Sequence, residues 1–120
     1  MVVLSHSGLA GLFGHRRELD PLFHFLGGVA GAHAILRAAV AFPQLIPRVA
    51  VGYSAQFAVA TVSVATVLWE LAEFASDRLL GSRIQFGWSD TGLDLVLGIG
   101  GAVVGVLIGW ALERNEDRSA

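Results

Sequence analysis

Apolar and charged positions fall into separate blocks along this chain. Residues 49–69, VAVGYSAQFAVATVSVATVLW, carry no charge at all. A bilayer crossing takes about 20 predominantly apolar residues, so this block predicts a transmembrane helix. Residues 95–112 are equally free of charge, and adding 91–94 brings them to spanning length. Residues 21–42 make a third apolar block, interrupted by His24, His33 and Arg37. Pro21 after Asp20 suits a helix start, because proline at the first helical position forfeits no hydrogen bond. Phe42-Pro43 and Ile46-Pro47 bracket a break, since a residue before proline is pushed out of the helical region. The predicted helices are about 20–42, 49–80 and 90–113, with Gly81 ending the second and Ser89 or Asp90 capping the third. Residues 2–13 are too short to span and fit a short amphipathic helix at the interface.

The expected fold class is therefore all-α: an integral membrane protein of three transmembrane helices in one membrane domain, residues 1–120. Composition agrees. The chain is 54% hydrophobic and 15% charged, with mean hydropathy +0.64, too little charge to surface a soluble domain of this size. A net charge of −2 without a basic tract argues against nucleic acid. The absence of cysteine excludes disulfides, thiolate metal sites and cysteine nucleophiles. The N-terminus does not read as a signal peptide, because its charges follow the apolar stretch. Arg16, Arg17, Arg78 and Arg83 fall on one side and Arg48, Arg114 and Arg118 on the other, which leans toward a cytoplasmic N-terminus. The expected setting is a multi-pass location in the cell (plasma) membrane. Its expected contacts are lipid and either a homo-oligomer or partner membrane helices.

Against that background the carboxylates stand out. Antiparallel threading brings the start of helix 1, the end of helix 2 and the start of helix 3 to one membrane face. Asp20 and His24 then share a level with Glu70, Glu73, Asp77, Asp90 and Asp94. At about 100° per residue, Ser63, Thr66, Glu70, Glu73 and Asp77 lie on one stripe of helix 2. Asp90, Asp94, Gly98, Gly101 and Gly105 lie on one stripe of helix 3, with Gly109 at its edge. Glycines spaced by four allow close helix approach in a membrane, and His24, Gly27, Gly28 and Gly31 repeat the device on helix 1, so the simplest assembly joins the glycine faces and gathers His24, Glu73 and Asp94 near one end. Glu70 and Glu73 near a helix C-terminus are opposed by the helix dipole and call for a cation nearby: Arg78, Arg83, a protonated His24 or a bound ion.

Three motifs, Asp20-x-x-x-His24-Phe25-Leu26-Gly27-Gly28, Trp69-Glu70-x-x-Glu73-Phe74 and Asp90-Thr91-x-x-Asp94-Leu95, are followed by a glycine-rich helix. This pattern resembles the VanZ-like and YjdF-like bacterial membrane proteins over roughly residues 19–109. The resemblance implies a polytopic envelope protein, supplies no reaction, and carries over Asp20, His24, Glu70, Glu73, Asp90 and Asp94. The chain has fewer helices than the longer YjdF-like members.

Two oxygens on one helix face at Glu70/Glu73 and at Asp90/Asp94, together with His24, make an oxygen-rich set suited to Mg²⁺, Mn²⁺, Ca²⁺ or Zn²⁺. The candidate metal ligands are thus His24, Glu70, Glu73, Asp90 and Asp94, and the candidate cofactor is a divalent cation. The plainer alternative is capping, solvation and pairing with Arg78 and Arg83. His33 and Arg37, on the opposite face of helix 1, read as packing and snorkelling residues; a single histidine leaves one-point haem ligation open. Trp69, Trp88 and Trp110 read as interface anchors. Three functions fit: a small envelope protein binding a cation or polar ligand, a structural or accessory subunit acting through helix packing, and a metal-assisted enzyme on a lipid-linked substrate.

Overall fold

In the hydrocarbon of a bilayer every backbone N–H and C=O must find its partner within the chain, which leaves the helix as the solution for long apolar segments. The computed structural model obeys this. It describes residues 4–44 and 51–119, and side chains over 19–44 and 54–119. Three helices, α1 (Leu4–Ala41), α2 (Val51–Leu80) and α3 (Trp88–Ser119), make up nearly all of the described chain, which contains no strand. Their apolar windows, Leu19–Ala41, Ser54–Leu80 and Trp88–Ser119, are each long enough to cross a membrane.

Helix limits differ from the sequence expectation at three points. Helix α1 runs unbroken from Leu4 through Pro21, so residues 4–13 belong to it and do not form a separate interfacial segment. Pro21 sits inside the helix, close to the start of the apolar window at Leu19. At the other end α1 stops beside Pro43 as expected, with a last bond from the Phe42 amide to the Ala38 carbonyl at 2.8 Å. The Ile46-Pro47 break lies outside the described residues. Helix α3 starts at Trp88, and the carbonyl of Gly87 accepts the Asp90 and Thr91 amides, each at 3.1 Å. Gly87, not Ser89 or Asp90, holds the cap position; its φ of 120° is open only to glycine. Gly81 ends α2 at φ 67°, the left-handed conformation expected of a C-terminal cap. The charged tail stays helical to Ser119.

Helices α1 and α3 run parallel and share the largest interface. They meet backbone to backbone. A side chain at Gly28 would collide with the Gly98 carbonyl, one at Gly101 with the Phe25 carbonyl, and one at Gly105 would lie 2.5 Å from the Val29 carbonyl. Helix α2 packs antiparallel across this pair, placing the Thr66 side chain 2.8 Å from where a Gly98 Cβ would stand and Val62 against Gly31. The buried apolar cluster is correspondingly small-residue: Ala32, Ala55, Ala58, Val62, Ala102 and Val106. Without a hydrophobic drive between helices in lipid, such close van der Waals contact is what holds them together. The large apolar side chains, among them Phe23, Leu71, Val96 and Leu107, point outward, as a lipid-facing surface requires. Trp69, well inside α2, and Trp88, at the start of α3, are exposed, whereas Trp110 packs partly on the core.

Substitution tests this packing. Gly101→Ala is expected to lower unfolding stability in detergent by about 1–3 kcal/mol, the usual cost of forcing extra volume into a packed contact. Gly100→Ala, on the open side of the same helix, should be neutral or slightly stabilising.

Candidate metal centre

One polar residue from each helix meets near the shared end of the bundle. His24 of α1, Glu70 of α2 and Asp94 of α3 have side chains only 9%, 6% and 3% exposed. The His24 Nε2 lies 3.7 Å from Glu70 Oε1 and 3.9 Å from Asp94 Oδ2. Asp20, one turn before His24 on α1, approaches the same nitrogen at 3.7 Å and is 30% exposed. Asp20, His24 and Asp94 each offer a ligand atom, all within 4.8 Å of one another; Glu70 joins this group through His24.

These separations exceed a hydrogen bond, for which N···O should be about 2.7–3.2 Å. Among the described residues both oxygens of Glu70 and Oδ1 of Asp94 are buried and meet no donor. Buried carboxylates are normally hydrogen-bonded or paired. Here two buried carboxylates and the half-buried Asp20 share one imidazole. All the ion pairs among the described residues involve His24. The expected pairing with arginine is not made: Arg78 stacks over the Phe74 ring at 5.3 Å, and Arg83 is exposed.

The helix register explains why these side chains converge. Asp20 and His24 are four residues apart, as are Asp90 and Asp94, so each pair shares a face. On α3 that face also carries Gly98, Gly101 and Gly105, and burying the glycines buries Asp94. On α2, Glu70 lies one turn beyond Thr66, whose hydroxyl bonds the Val62 carbonyl at 2.9 Å and whose side chain rests on Gly98.

The other sequence candidates lie further out. Glu73 accepts the Trp69 indole N–H at 2.8 Å through Oε1 and still interacts electrostatically with Glu70, Asp20 and His24. Asp90, half-buried in the first turn of α3, interacts electrostatically with Asp94. Neither lies in the tight group. Asp77 leaves the group altogether and organises the α2–α3 connection. It accepts from the Ser82 hydroxyl (2.6 Å) and from the amides of Ile84 and Gln85 (2.9 Å each). Gln85 in turn donates to Thr91 at 2.7 Å, tying the loop to α3. Asp20 is the group member that the metal-ligand reading of the sequence left out, although the i, i+4 spacing from His24 was its signal. His33 packs near Gly109, with a buried Nδ1 that meets no partner among the described residues.

A multi-pass helical bundle with one polar centre buried at its end is thus defined by fold and site together. The chain belongs to the family described as "Predicted membrane protein (DUF2238)", which matches residues 7–115. That membership agrees with the YjdF-like side of the sequence resemblance and lends no support to the VanZ-like side. Neither the curated proteins nor the solved structures gave a match.

Asp77→Ala removes the acceptor for two loop amides. Hydrogen exchange at Ile84 and Gln85 is expected to accelerate strongly, while amides of α1 near His24 keep their protection.

Proposed function

We propose that the protein is a small multi-pass protein of the cell membrane that binds a divalent cation at His24, Glu70 and Asp94, with Asp20 closing the site toward the membrane surface. The observation that carries this reading is the set of buried carboxylate oxygens without donors around a single imidazole. A charged group in the hydrocarbon costs about 2.5–3.5 kcal/mol on insertion scales. Among the described side chains no arginine pairs with these carboxylates, so a positive partner is called for.

The spacing supports a cation in that role. Divalent ions hold oxygen and nitrogen ligands at roughly 2.0–2.6 Å, which sets neighbouring ligand atoms roughly 3–5 Å apart. The contacts at 3.7–3.9 Å to His24 Nε2 lie within that span. One imidazole among carboxylates favours Mn²⁺ or Zn²⁺ over Ca²⁺, because imidazole suits the transition metals and an all-oxygen set suits calcium. Asp20, His24 and Asp94 offer ligand atoms within 4.8 Å of one another, and Glu70, 3.7 Å from His24 Nε2, would bring α2 to the ion, so that binding would also clamp the three helices together.

The accessory-subunit reading relied on glycine faces docking against partner helices. Gly28, Gly98, Gly101 and Gly105 are instead occupied within the chain, which favours the cation-binding reading.

Elemental mass spectrometry of detergent-purified protein tests it. Wild type should carry close to one equivalent of a transition metal, and Glu70→Gln/Asp94→Asn should carry less than about a tenth of that while remaining folded. Wild type and variant with equally little metal after loading would overturn the proposal.

A further inference from the structure

Every helix that supplies an inner ligand also carries a second carboxylate one turn nearer the membrane surface. Asp20 stands four residues outward of His24 on α1, Glu73 three outward of Glu70 on α2, and Asp90 four outward of Asp94 on α3. At about 1.5 Å per residue, these outer groups sit roughly 4–6 Å above the inner ones. Exposure follows the same order. The inner side chains are less than a tenth exposed, whereas Asp20, Glu73 and Asp90 are half-buried.

The fold accounts for the outer acids only in part: the first turn of α3 favours Asp90 through the helix dipole, and Asp20 approaches the His24 ring. Asp77 shows what a structural carboxylate looks like here, with three donors satisfied in one loop. Glu73 has one donor, the Trp69 indole, which holds Oε1. The inner floor is independently marked as a ligand site, because Glu70 is 95% buried, lies 3.7 Å from His24 and leaves both oxygens without a donor.

We infer that Glu73 and Asp90, with Asp20 between them and the floor, form a vestibule that captures a hydrated divalent cation at the membrane surface and delivers it to His24, Glu70 and Asp94. This rests on the cation-binding reading of the inner centre. Fixed negative charge at the mouth of a low-dielectric passage raises the local cation concentration and speeds capture. Each outer acid offers an oxygen to replace a water as the ion is stripped, a step that dehydration makes slow for small divalent ions. A charge that only steers the ion inward acts mainly on the uptake rate and its salt dependence, whereas a ligand holds the bound ion and sets the release rate.

The experiment uses the full chain in detergent, stripped with a chelator and mixed rapidly with Mn²⁺ alone; free Mn²⁺ is followed by freeze-quench electron paramagnetic resonance. Glu73→Gln/Asp90→Asn should slow uptake about tenfold, within the range of electrostatic rate effects. It should leave release near the wild-type rate and flatten the dependence of uptake on ionic strength. Glu73→Asp/Asp90→Glu, which keeps both charges, should retain near-wild-type uptake and so separate charge from misfolding. Unchanged rates in the charge-removing variant would overturn the vestibule. So would faster release, which would make these residues ligands. Wild type that takes up no Mn²⁺ would overturn the inner centre and the vestibule with it, whereas normal wild-type binding with an unaffected variant would remove the vestibule alone.

Discussion

Backbone contact between α1 and α3 is the constraint from which the rest of this bundle follows. Gly28 against Gly98, and Gly101 and Gly105 against Phe25 and Val29, bring the two helices closer than any side chain would allow. At that separation the residues one or two turns away on the same faces have nowhere to go but toward each other. His24 precedes Gly28 by four residues and Asp94 precedes Gly98 by four, so the glycine contact carries the imidazole and the carboxylate into one space. Helix α2 then lays Thr66 on Gly98, and Glu70, one turn on, completes the group. The polar centre is a geometric consequence of the packing.

That arrangement has an electrostatic consequence. A membrane bundle could have surrounded three acids with arginines, and Arg78 and Arg83 are close enough in sequence to suggest it. They do not serve: Arg78 lies over Phe74, and Asp77, the acid nearest to it in the chain, is committed to the loop. The centre therefore gathers three carboxylates around one imidazole with neither of these arginines beside them, and an unpaired carboxylate buried in a membrane bundle is costly. In the proposed reading a divalent ion would balance these carboxylates and draw contacts from all three helices, which would tie the function to the stability of this end of the bundle.

Much of this was readable before any coordinates. The uncharged run at 49–69 has only one way to satisfy its backbone in lipid, so α2 follows from composition alone. Gly81 as a C-terminal cap and the convergence of the acid-bearing helix ends follow from chain order and helical phase, but phase alone gathers His24, Glu73 and Asp94, and the structure puts Glu70 in the place of Glu73. What the sequence could not decide were choices between equivalent partners. Gly98 shares a stripe with Gly101, yet it faces α2 while Gly101 faces α1, because one glycine stripe serves two neighbours. Glu73 shares a stripe with Glu70, but a three-residue step rotates it about 60° away, enough for Trp69 to hold it outside. Asp77 looked like another member of the group until the loop amides claimed it. Pro21 was a sound helix start on local grounds, and the helix nevertheless continues back to Leu4.

X-ray absorption spectroscopy of purified protein loaded with one equivalent of Zn²⁺ tests most directly whether the three helices coordinate one ion. A first shell of oxygens at about 2.0–2.2 Å with the multiple-scattering signature of a single imidazole, lost in His24→Asn, is the predicted result. A shell of oxygens alone, the same in wild type and His24→Asn, would mean that the ion is bound elsewhere and that the buried carboxylates are balanced in another way.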